Sequence, residues 1–300
     1  MELMHAIVYG IVQGVTAYLP ISSDAHIRLI QVLLGWTQDE SPAFTAFTAV
    51  IQIAPTLAVI LFFRHEIVKA FAAWFDALKG KNKDSHDAKL VWGVIWGTIP
   101  ILVLGVALQK EIETVFRSLY YISFSLIAVA VVMYYADRVQ RERRDVGDVE
   151  IKDGVIVGLW QCLALIPGMS RSGSTITGSL LQGFKRESAA RFAFLLGIPS
   201  FLAAGIFEGI KYHKELTHGL LTPLAVSFVI AFVVAYGCLA WFLGYLQKNG
   251  VGPFVLYRLI LGVLILGLVF AKVVTPDAGA KPLEKPADTP TAMIQSPLGH

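Results

Sequence analysis

Two short polar segments, each led by a proline, carry the side chains of this chain that are best suited to chemistry. The first, residues 20–26, reads PISSDAH and places two hydroxyls, a carboxylate and an imidazole within five residues. A serine near a histidine suits a nucleophile with a general acid or base, which makes Ser23 and His26 catalytic candidates. Ser22, Ser23 or Asp24 can also cap a helix that starts near His26. Helix N-termini bind anions, phosphate above all, so we interpret this segment as an anion site.

The second polar segment, residues 167–175, reads PGMSRSGST. Its glycines let the backbone approach a ligand closely, its hydroxyls supply donors, and Arg171 supplies a planar charged fork that matches phosphate oxygens. An arginine at membrane depth is costly and is therefore a functional candidate. If the two segments meet, Ser23 and His26 face Arg171, Ser172 and Thr175 across a cationic, donor-rich site. The alternatives are helix capping for the serines, a structural role for His26, and an Arg171 that reaches the membrane interface.

Long apolar blocks must position these segments. The chain of 300 residues is 55% hydrophobic and 16% charged, with a mean hydropathy of +0.63, whereas soluble domains are about a quarter charged. About 20 apolar residues span a bilayer, so we predict an all-α integral membrane protein with six transmembrane helices. The net charge of +3 is modest and no basic patch indicates nucleic-acid binding. The six predicted spans are 43–63, 90–108, 118–136, 192–210, 222–246 and 255–274.

Two further apolar stretches, residues 3–34 and 154–184, are broken by the polar segments. Each arm is too short to cross the bilayer comfortably, so we favour re-entrant hairpins over single kinked helices. Irregular backbone at that depth requires surrounding protein or a water-filled cavity. With both hairpins in place, residues 64–83, 138–152 and 185–191 put most lysines and arginines on one side. The positive-inside rule makes that side cytoplasmic and places both termini outside.

The two broken stretches also resemble each other, which predicts an internal repeat. Each has Gly-x-x-Gln, at Gly10 and at Gly158, followed by a proline and a polar turn. Pro55 follows the first of these prolines by 35 residues and Pro199 follows the second by 32. One hairpin and three spans per half, about 3–136 and 154–274, give an inverted repeat with a site where the two tips meet. Chance similarity between short apolar helices is the alternative.

The remaining sequence predicts little chemistry. Residues 1–274 form a single membrane domain, and residues 275–300 are rich in proline and poor in large apolar side chains, which predicts a flexible tail. Cys162 and Cys238 lie in apolar stretches without metal-binding spacing, so we expect two free thiols.

Residues 13–26, QGVTAYLPISSDAH, resemble the [E/Q]GxTE[F/Y]LPxSSxxH motif of the undecaprenyl-pyrophosphate phosphatase family, the bacitracin-resistance proteins. Residues 167–176, PGMSRSGSTI, are similar to the PGxSRSGxTI motif of that family, and the resemblance extends over about 3–272. It implies a phosphatase that hydrolyses undecaprenyl diphosphate to the monophosphate and inorganic phosphate, and so recycles the lipid carrier of cell-wall synthesis. It also implies an outward-opening site in the bacterial inner membrane, a divalent cation (Mg²⁺ or Ca²⁺) and homodimers.

The same resemblance assigns roles to individual residues. Ser23 is the nucleophile or the group that positions it, His26 assists proton transfer, and Arg171 binds and neutralises the diphosphate. Substrate binding is shared among further polar positions, namely Gln13, Ser22, Ser170, Ser172, Gly173 and Thr175.

One position departs from the family motif, which has Glu where this chain has Ala17. A methyl group can neither bind a metal nor transfer a proton. One hypothesis is that Ala17 is an engineered, inactivating substitution in an ordinary member, and the alternative is a natural paralogue that binds or moves the lipid without cleaving it. A transporter or flippase of polyprenyl phosphates is a further alternative, since secondary transporters also use inverted repeats with broken helices.

Overall fold

The structure is a computed structural model that describes residues 1–36, 42–82, 84–108, 118–140, 143–217 and 219–276. Over these ranges the chain is helical and contains no named strand, which confirms the predicted all-α class; the one extended pairing described is a bridge between Arg144 and Phe184. The helices are α1 (Leu3–Thr16), α2 (Ser23–Leu33), α3 (Pro42–Ile51), α4 (Ile53–Phe62), α5 (Arg64–Leu78), α6 (His86–Ala107), α7 (Leu119–Val139), α8 (Ile151–Cys162), α9 (Arg171–Leu181), α10 (Arg186–Lys211), α11 (His213–Thr217), α12 (Leu221–Leu246) and α13 (Gly252–Phe270), with 3₁₀ turns at Val146–Asp148 and Leu163–Leu165.

Among the described residues, six helical stretches are long and apolar enough to cross a membrane, which confirms the predicted number of spans and indicates a multi-pass membrane protein. Large apolar side chains on these helices point outward, with Val106 78% and Phe270 75% exposed, as expected where helices face lipid instead of water. Helices α6 and α10 begin several residues before the apolar blocks, because their polar first turns are helical too. The six stretches are Phe44–Phe62, His86–Ala107, Leu119–Val139, Arg186–Lys211, Leu221–Leu246 and Gly252–Phe270.

The first span is interrupted, which the hydropathy pattern did not predict. Helix α3 ends at Ile51 and α4 begins at Ile53, with Gln52 between them. Pro55 explains the break, because its ring clashes with the carbonyl of Ile51 four residues earlier and its nitrogen cannot donate a hydrogen bond. The Thr56 hydroxyl donates to the Gln52 carbonyl at 2.9 Å and satisfies an acceptor at the interruption.

The segment 64–83, treated above as a basic loop, contains the helix α5 instead. Its charged residues interrupt the hydropathy but are good helix formers. Trp74 of α5 packs edge-on against Trp92 of α6 with ring centroids 5.6 Å apart, and Lys69 pairs with Asp87 at 3.0 Å. Helix α5 therefore packs along the start of the second span.

Two pairs of short helices hold the polar segments. Helices α1, α2, α8 and α9 contain 14, 11, 12 and 11 residues, so each is roughly 17–21 Å long at 1.5 Å per residue and shorter than the ~30 Å hydrocarbon core. Both pairs fold back on themselves. His5 of α1 stacks on Trp36, just after α2, with centroids 3.8 Å apart.

The second pair folds back in the same way. Arg144 holds its two open ends together, since its guanidinium donates to the carboxylate of Asp153 in the first turn of α8 and, at 3.2 Å, to the carbonyl of Gln182 just after α9. The Asp153 carboxylate is completely buried, and its hydrogen bonds raise the pKa of the Arg144 guanidinium. This ion pair therefore closes the second helix pair at the end opposite its polar tip.

The first helix of each pair packs tightly on a transmembrane helix through glycines. Gly10 of α1 lies against the backbone of α12, and Gly154 and Gly158 of α8 lie against the backbone of α6 at Gly93 and Gly97. A Cβ atom on Gly154 would overlap the carbonyl of Gly93. These close approaches fix the position of α1 and α8, and therefore the positions of the tips that follow them.

We expect Gly154→Ala to lower the thermal unfolding temperature of the detergent-purified protein, because overpacking of a close contact usually costs about 1–3 kcal/mol. Gly244→Ala is the matched control, since Gly244 also lies in a helix but has no atom near its added Cβ. If both variants unfold at the wild-type temperature, the close packing of α6 on α8 is wrong.

Candidate active site

The tip of each helix pair is the turn that joins its two helices, between α1 and α2 and between α8 and α9. The two tips meet in the interior. The Ser172 hydroxyl, in the first turn of α9, donates to the carbonyl of Leu19, the residue directly before the first polar segment, at 3.0 Å. Ser170 lies 3.2 Å from Ser172 between their hydroxyl oxygens, so the second tip presents paired hydroxyls toward the first. The two segments that carry the predicted chemistry are therefore in direct contact.

Both tips use a serine cap with the same unusual backbone. Ser22 and Ser170 have φ angles of 73° and 68°, a region that is costly for residues with a Cβ atom. The Ser22 hydroxyl accepts a hydrogen bond from the Ala25 N–H at 3.4 Å, and the Ser170 hydroxyl accepts one from the Gly173 N–H at 3.1 Å. The first cap makes α2 begin at Ser23, three residues before the predicted start near His26. Two helix N-termini, each a positive dipole end, therefore meet at the tips.

Arg258 joins the two tips and was missed by the sequence analysis. Its side chain is completely buried in α13. The guanidinium donates to Pro20 of the first tip at 3.1 Å and to Gly168 and Met169 of the second at 3.0 and 3.2 Å, in each case to the carbonyl. It also donates to two carbonyls of α7. Arg258 is the only charged residue in the apolar stretch of α13, and that isolation could have identified it.

A cavity of about 310 Å³ lies between the tips, within the range of small-molecule sites. Most of the predicted substrate-binding and catalytic residues line it, as does the altered position Ala17. The predicted residues along its wall are Gln13, Ala17, Ser22, Ser23, Ser170, Arg171 and Ser172. The caps and first turns of α2 and α9 both border the cavity, so their N-termini converge on one space.

Three of the predicted residues lie outside the cavity wall. The Thr175 side chain is completely buried, and its hydroxyl donates to the Arg171 carbonyl at 2.7 Å. Gly173 is buried at the cap of α9, where its N–H is used by Ser170. These two residues shape the helix that carries Arg171, and their assignment to substrate binding stays a prediction.

His26 faces α13 and does not line the cavity. Its Nδ1 lies 2.7 Å from the Ser22 carbonyl oxygen and its Nε2 lies 2.6 Å from the Tyr257 hydroxyl. A carbonyl can only accept, so Nδ1 carries the hydrogen and, in the neutral ring, Nε2 accepts from Tyr257. His26 is thus hydrogen bonded on both nitrogens, and its part in proton transfer stays a prediction.

Arg171 is the cation of the second tip. Its guanidinium lies over the ring of Phe201, and its Nη1 donates to the Gly197 carbonyl at a long 3.4 Å. The Nε atom is buried and has no hydrogen-bond partner among the described residues. A guanidinium has five N–H donors, so Arg171 retains unused donors at the cavity and is suited to a phosphate.

The cavity holds a single carboxylate among its described lining residues, that of Asp24. The methyl group of Ala17 also lines the cavity and is 9% exposed. Across the part of the chain that the structure describes, no group of three or more His, Cys, Asp or Glu side chains could hold a metal ion.

The cavity has a second polar wall, which the sequence analysis did not predict. Arg28 was not assigned to the site by the sequence analysis, but it is 8% exposed and lines the cavity. Its neighbours on that wall are Gln31, Thr45, Thr48 and Gln52. The spacing of Asp24, Arg28 and Gln31 along α2 could have indicated a shared helix face.

We expect Arg258→Lys to destabilise the protein by roughly 2–3 kcal/mol, because a lysine cannot reach all the carbonyls and leaves buried acceptors unpaired. The measurement is thermal unfolding of the detergent-purified protein. Arg138→Lys is the control, since Arg138 lies at an exposed helix end over the ring of Tyr134. A wild-type unfolding temperature for Arg258→Lys would contradict its role in joining the tips.

Comparison with known proteins identifies the family. The family described as "Bacitracin resistance protein BacA" matches residues 6–264. The undecaprenyl-diphosphatase of Thermobifida fusca is 42% identical over 282 residues, covering 94% of this chain and 95% of that protein. The undecaprenyl-diphosphatase of Chloroherpeton thalassium is 44% identical over 279 residues, covering 90% and 97%, and that of Myxococcus xanthus is 42% identical over 289 residues, covering 96% of each. This chain therefore belongs to the bacitracin resistance protein BacA family.

Proposed function

We propose that this protein is a membrane phosphatase that hydrolyses undecaprenyl diphosphate to undecaprenyl phosphate and inorganic phosphate. One observation carries the proposal: two helix N-termini, Arg171 and several serines converge on one cavity between the tips. Phosphoryl transfer depends mainly on positioning and on neutralising charge, and the groups that line this cavity can supply both. Relatives at about 42% identity are named undecaprenyl-diphosphatase, and the reaction would recycle the lipid carrier of cell-wall synthesis.

Arg171 and the serines have different roles in the proposed reaction. Arg171 and the N–H groups of α2 and α9 neutralise the terminal phosphate. In the direct form, a water oxygen positioned by Ser23 attacks the terminal phosphorus, the bond to the bridging oxygen breaks, and the lipid monophosphate leaves. In the covalent form, the Ser23 oxygen attacks the terminal phosphorus and the bond to the bridging oxygen breaks. The lipid monophosphate leaves and takes up the serine proton. Water then hydrolyses the phosphoserine, which releases inorganic phosphate and restores the Ser23 hydroxyl.

His26 contributes through the group it contacts. The imidazole joins the Ser22 carbonyl to the Tyr257 hydroxyl, so it fixes the cap of α2 from behind. A proton passing to or from His26 travels by way of Tyr257 or after a rotation of the ring. Ser22 and Ser172 stay as substrate-binding groups at the cavity wall.

A divalent cation fits this cavity in one way. Magnesium sites often use one or two carboxylates together with substrate phosphates, and Asp24 is the one carboxylate among the described lining residues. Bound there, the cation would neutralise charge on the diphosphate. Asp24 would hold it, with Ser23 and the ligand oxygens nearby.

We propose a bacterial inner-membrane protein with both termini outside and a site that opens to the extracytoplasmic side. The three basic segments lie near each other, since Glu66 pairs with Arg191 and Asp145 with Lys185, and Arg144 closes the second helix pair at the end opposite its tip. By the positive-inside rule this basic side is cytoplasmic. Short antiparallel helices support re-entrant hairpins. The exchange of partners supports an inverted repeat, since α1 packs on α12 of the second half and α8 on α6 of the first. We also propose that the protein forms homodimers.

A transporter or flippase of polyprenyl phosphates is the second candidate. The interruption at Gln52 inside the first span favours it, together with the two pairs of short helices, because broken helices line the sites of secondary transporters. Lipid movement across liposomes without phosphate release would support this candidate, and phosphate release supports the phosphatase.

We expect Ala17→Glu to raise phosphate release from undecaprenyl diphosphate by about 10²–10⁴-fold, the usual contribution of a positioned acid or base. Ala17→Gln is the matched control, since it has the same size without the charge. A Glu variant that stays inert with saturating lipid and metal would contradict the phosphatase. Full activity of the Ala17 protein would contradict a requirement for a carboxylate at that position.

We expect Asp24→Asn to weaken Mn²⁺ binding by roughly tenfold when methylenediphosphonate is present, because the variant lacks the described carboxylate of the cavity. Electron paramagnetic resonance of Mn²⁺ measures this without catalysis. Asp76→Asn is the control, since Asp76 lies exposed on α5. Equal Mn²⁺ affinity in both variants would contradict the assignment of Asp24.

A further inference from the structure

We infer that the wall formed by α2 and α3 is a second phosphate subsite, so that the cavity holds both phosphates of a diphosphate at once. The inference rests on the proposed function and adds a determinant of specificity, in which Arg28 and Gln31 bind the phosphate that Arg171 does not. This wall, called here the α2–α3 wall, consists of Arg28, Gln31, Thr45, Thr48 and Gln52.

The α2–α3 wall is continuous with the tips. Asp24, Ile27, Arg28 and Gln31 all line the cavity, and their spacing of three and four places them on one face of α2. Thr45 and Thr48 on α3 and Gln52, the residue directly after α3, recur at the same spacing. The cavity therefore extends from the caps at Ser22 and Ser170 along two polar helix faces. Such faces are unusual in a chain that is only 16% charged, and the tips alone do not require them.

Gln31 is a buried polar side chain whose hydrogen bonds are incomplete, which indicates a ligand at this wall. Its side chain is 3% exposed and it lines the cavity. The Arg28 Nη1 donates to its Oε1 at 3.5 Å. Because a guanidinium only donates, the atom that faces Arg28 must be the oxygen, and the amide nitrogen is turned elsewhere. That nitrogen is buried and has no partner among the described residues, a state that native proteins seldom leave unexplained.

The formal charges of the described lining residues also favour a role for Arg28 in binding a diphosphate. Arg28 and Arg171 supply two positive charges and Asp24 one negative charge, which leaves one formal positive charge among the described lining residues. A diphosphate carries more than one negative charge. With Arg171 alone, the cavity wall would have no positive surplus over Asp24. Arg28 therefore provides the surplus, and it lies on the helix whose N-terminus borders the same space.

The tips and the α2–α3 wall together would thus distinguish a diphosphate from a monophosphate. Inorganic phosphate can be held by the tips alone, through Arg171 and the serine hydroxyls. A diphosphate contacts the tips and the α2–α3 wall together, so its affinity should depend on Arg28 and Gln31 while that of phosphate should not.

The test measures binding of two probes to the full-length, detergent-purified protein by calorimetry, without turnover. Methylenediphosphonate, whose P–C–P link is not hydrolysed, represents a diphosphate, and inorganic phosphate represents one phosphate group. We expect Arg28→Gln to weaken diphosphonate binding by about tenfold to a hundredfold, the usual effect of losing a charged hydrogen bond. Phosphate affinity should change less than about twofold, and Arg28→Lys should restore part of the diphosphonate affinity.

Two further variants keep the test decisive. Gln31→Leu removes the unpartnered amide and should weaken diphosphonate binding even if Arg28→Gln fails to fold. Arg64→Gln is the control and should leave both affinities unchanged, since Arg64 is exposed and donates to the Leu61 carbonyl. Folding of each variant is checked by its thermal unfolding.

The outcomes separate this inference from the proposed function. If folded Arg28→Gln and Gln31→Leu both bind diphosphonate as tightly as the wild type, the second subsite is wrong while the phosphatase stands. An equal loss of phosphate and diphosphonate affinity also overturns it, because the two walls would then act as one. A wild-type protein that binds neither probe would overturn the proposed function and this inference together.

Discussion

The structure depends on one buried guanidinium. Irregular backbone inside a membrane protein leaves carbonyl groups without the N–H partners that a helix would supply, and lipid chains cannot replace those partners. Arg258 supplies those donors to Pro20, Gly168 and Met169 and anchors them to α7. Burial of this charge is costly, but its many hydrogen bonds offset the cost. Without it these carbonyls of the two tips would lose their shared donor, and we expect the cavity between the tips to lose its shape.

The two tips are alike in backbone and different in chemistry. Ser22 and Ser170 cap their helices with the same φ and the same side-chain hydrogen bond to the N–H three residues on. The following residues differ: the first tip carries Ser23 and Asp24, and the second carries Arg171 and Ser172. A shared scaffold has thus placed hydroxyl and carboxylate groups on one side of a cavity and a cation on the other. Each tip supplies what the other lacks.

Sequence patterns predicted the spans and most of the cavity, because long apolar blocks and clustered polar residues are both local signals. The prediction did less well where a single residue acts through space. Arg258 stands alone in an apolar helix and Arg28 shares a helix face with Asp24 and Gln31. Those local signals mark both arginines as candidates, but they do not show which groups the side chains reach. The direction of His26 depends on Tyr257, which lies far away in the chain. The break at Gln52 arises from Pro55, a local signal that the high hydropathy of the span concealed.

The left-handed serine caps limit how these tips can evolve. At such a φ angle glycine is the residue with the lowest backbone cost, but glycine has no oxygen to hold the N–H group of Ala25 or Gly173. Most other side chains would bring the backbone cost without the cap. Each of the two positions therefore tolerates few exchanges, whatever ligand the cavity holds. Distant relatives with different chemistry should keep a small polar residue at both places, so the pair marks the architecture better than the reactive residues beside it.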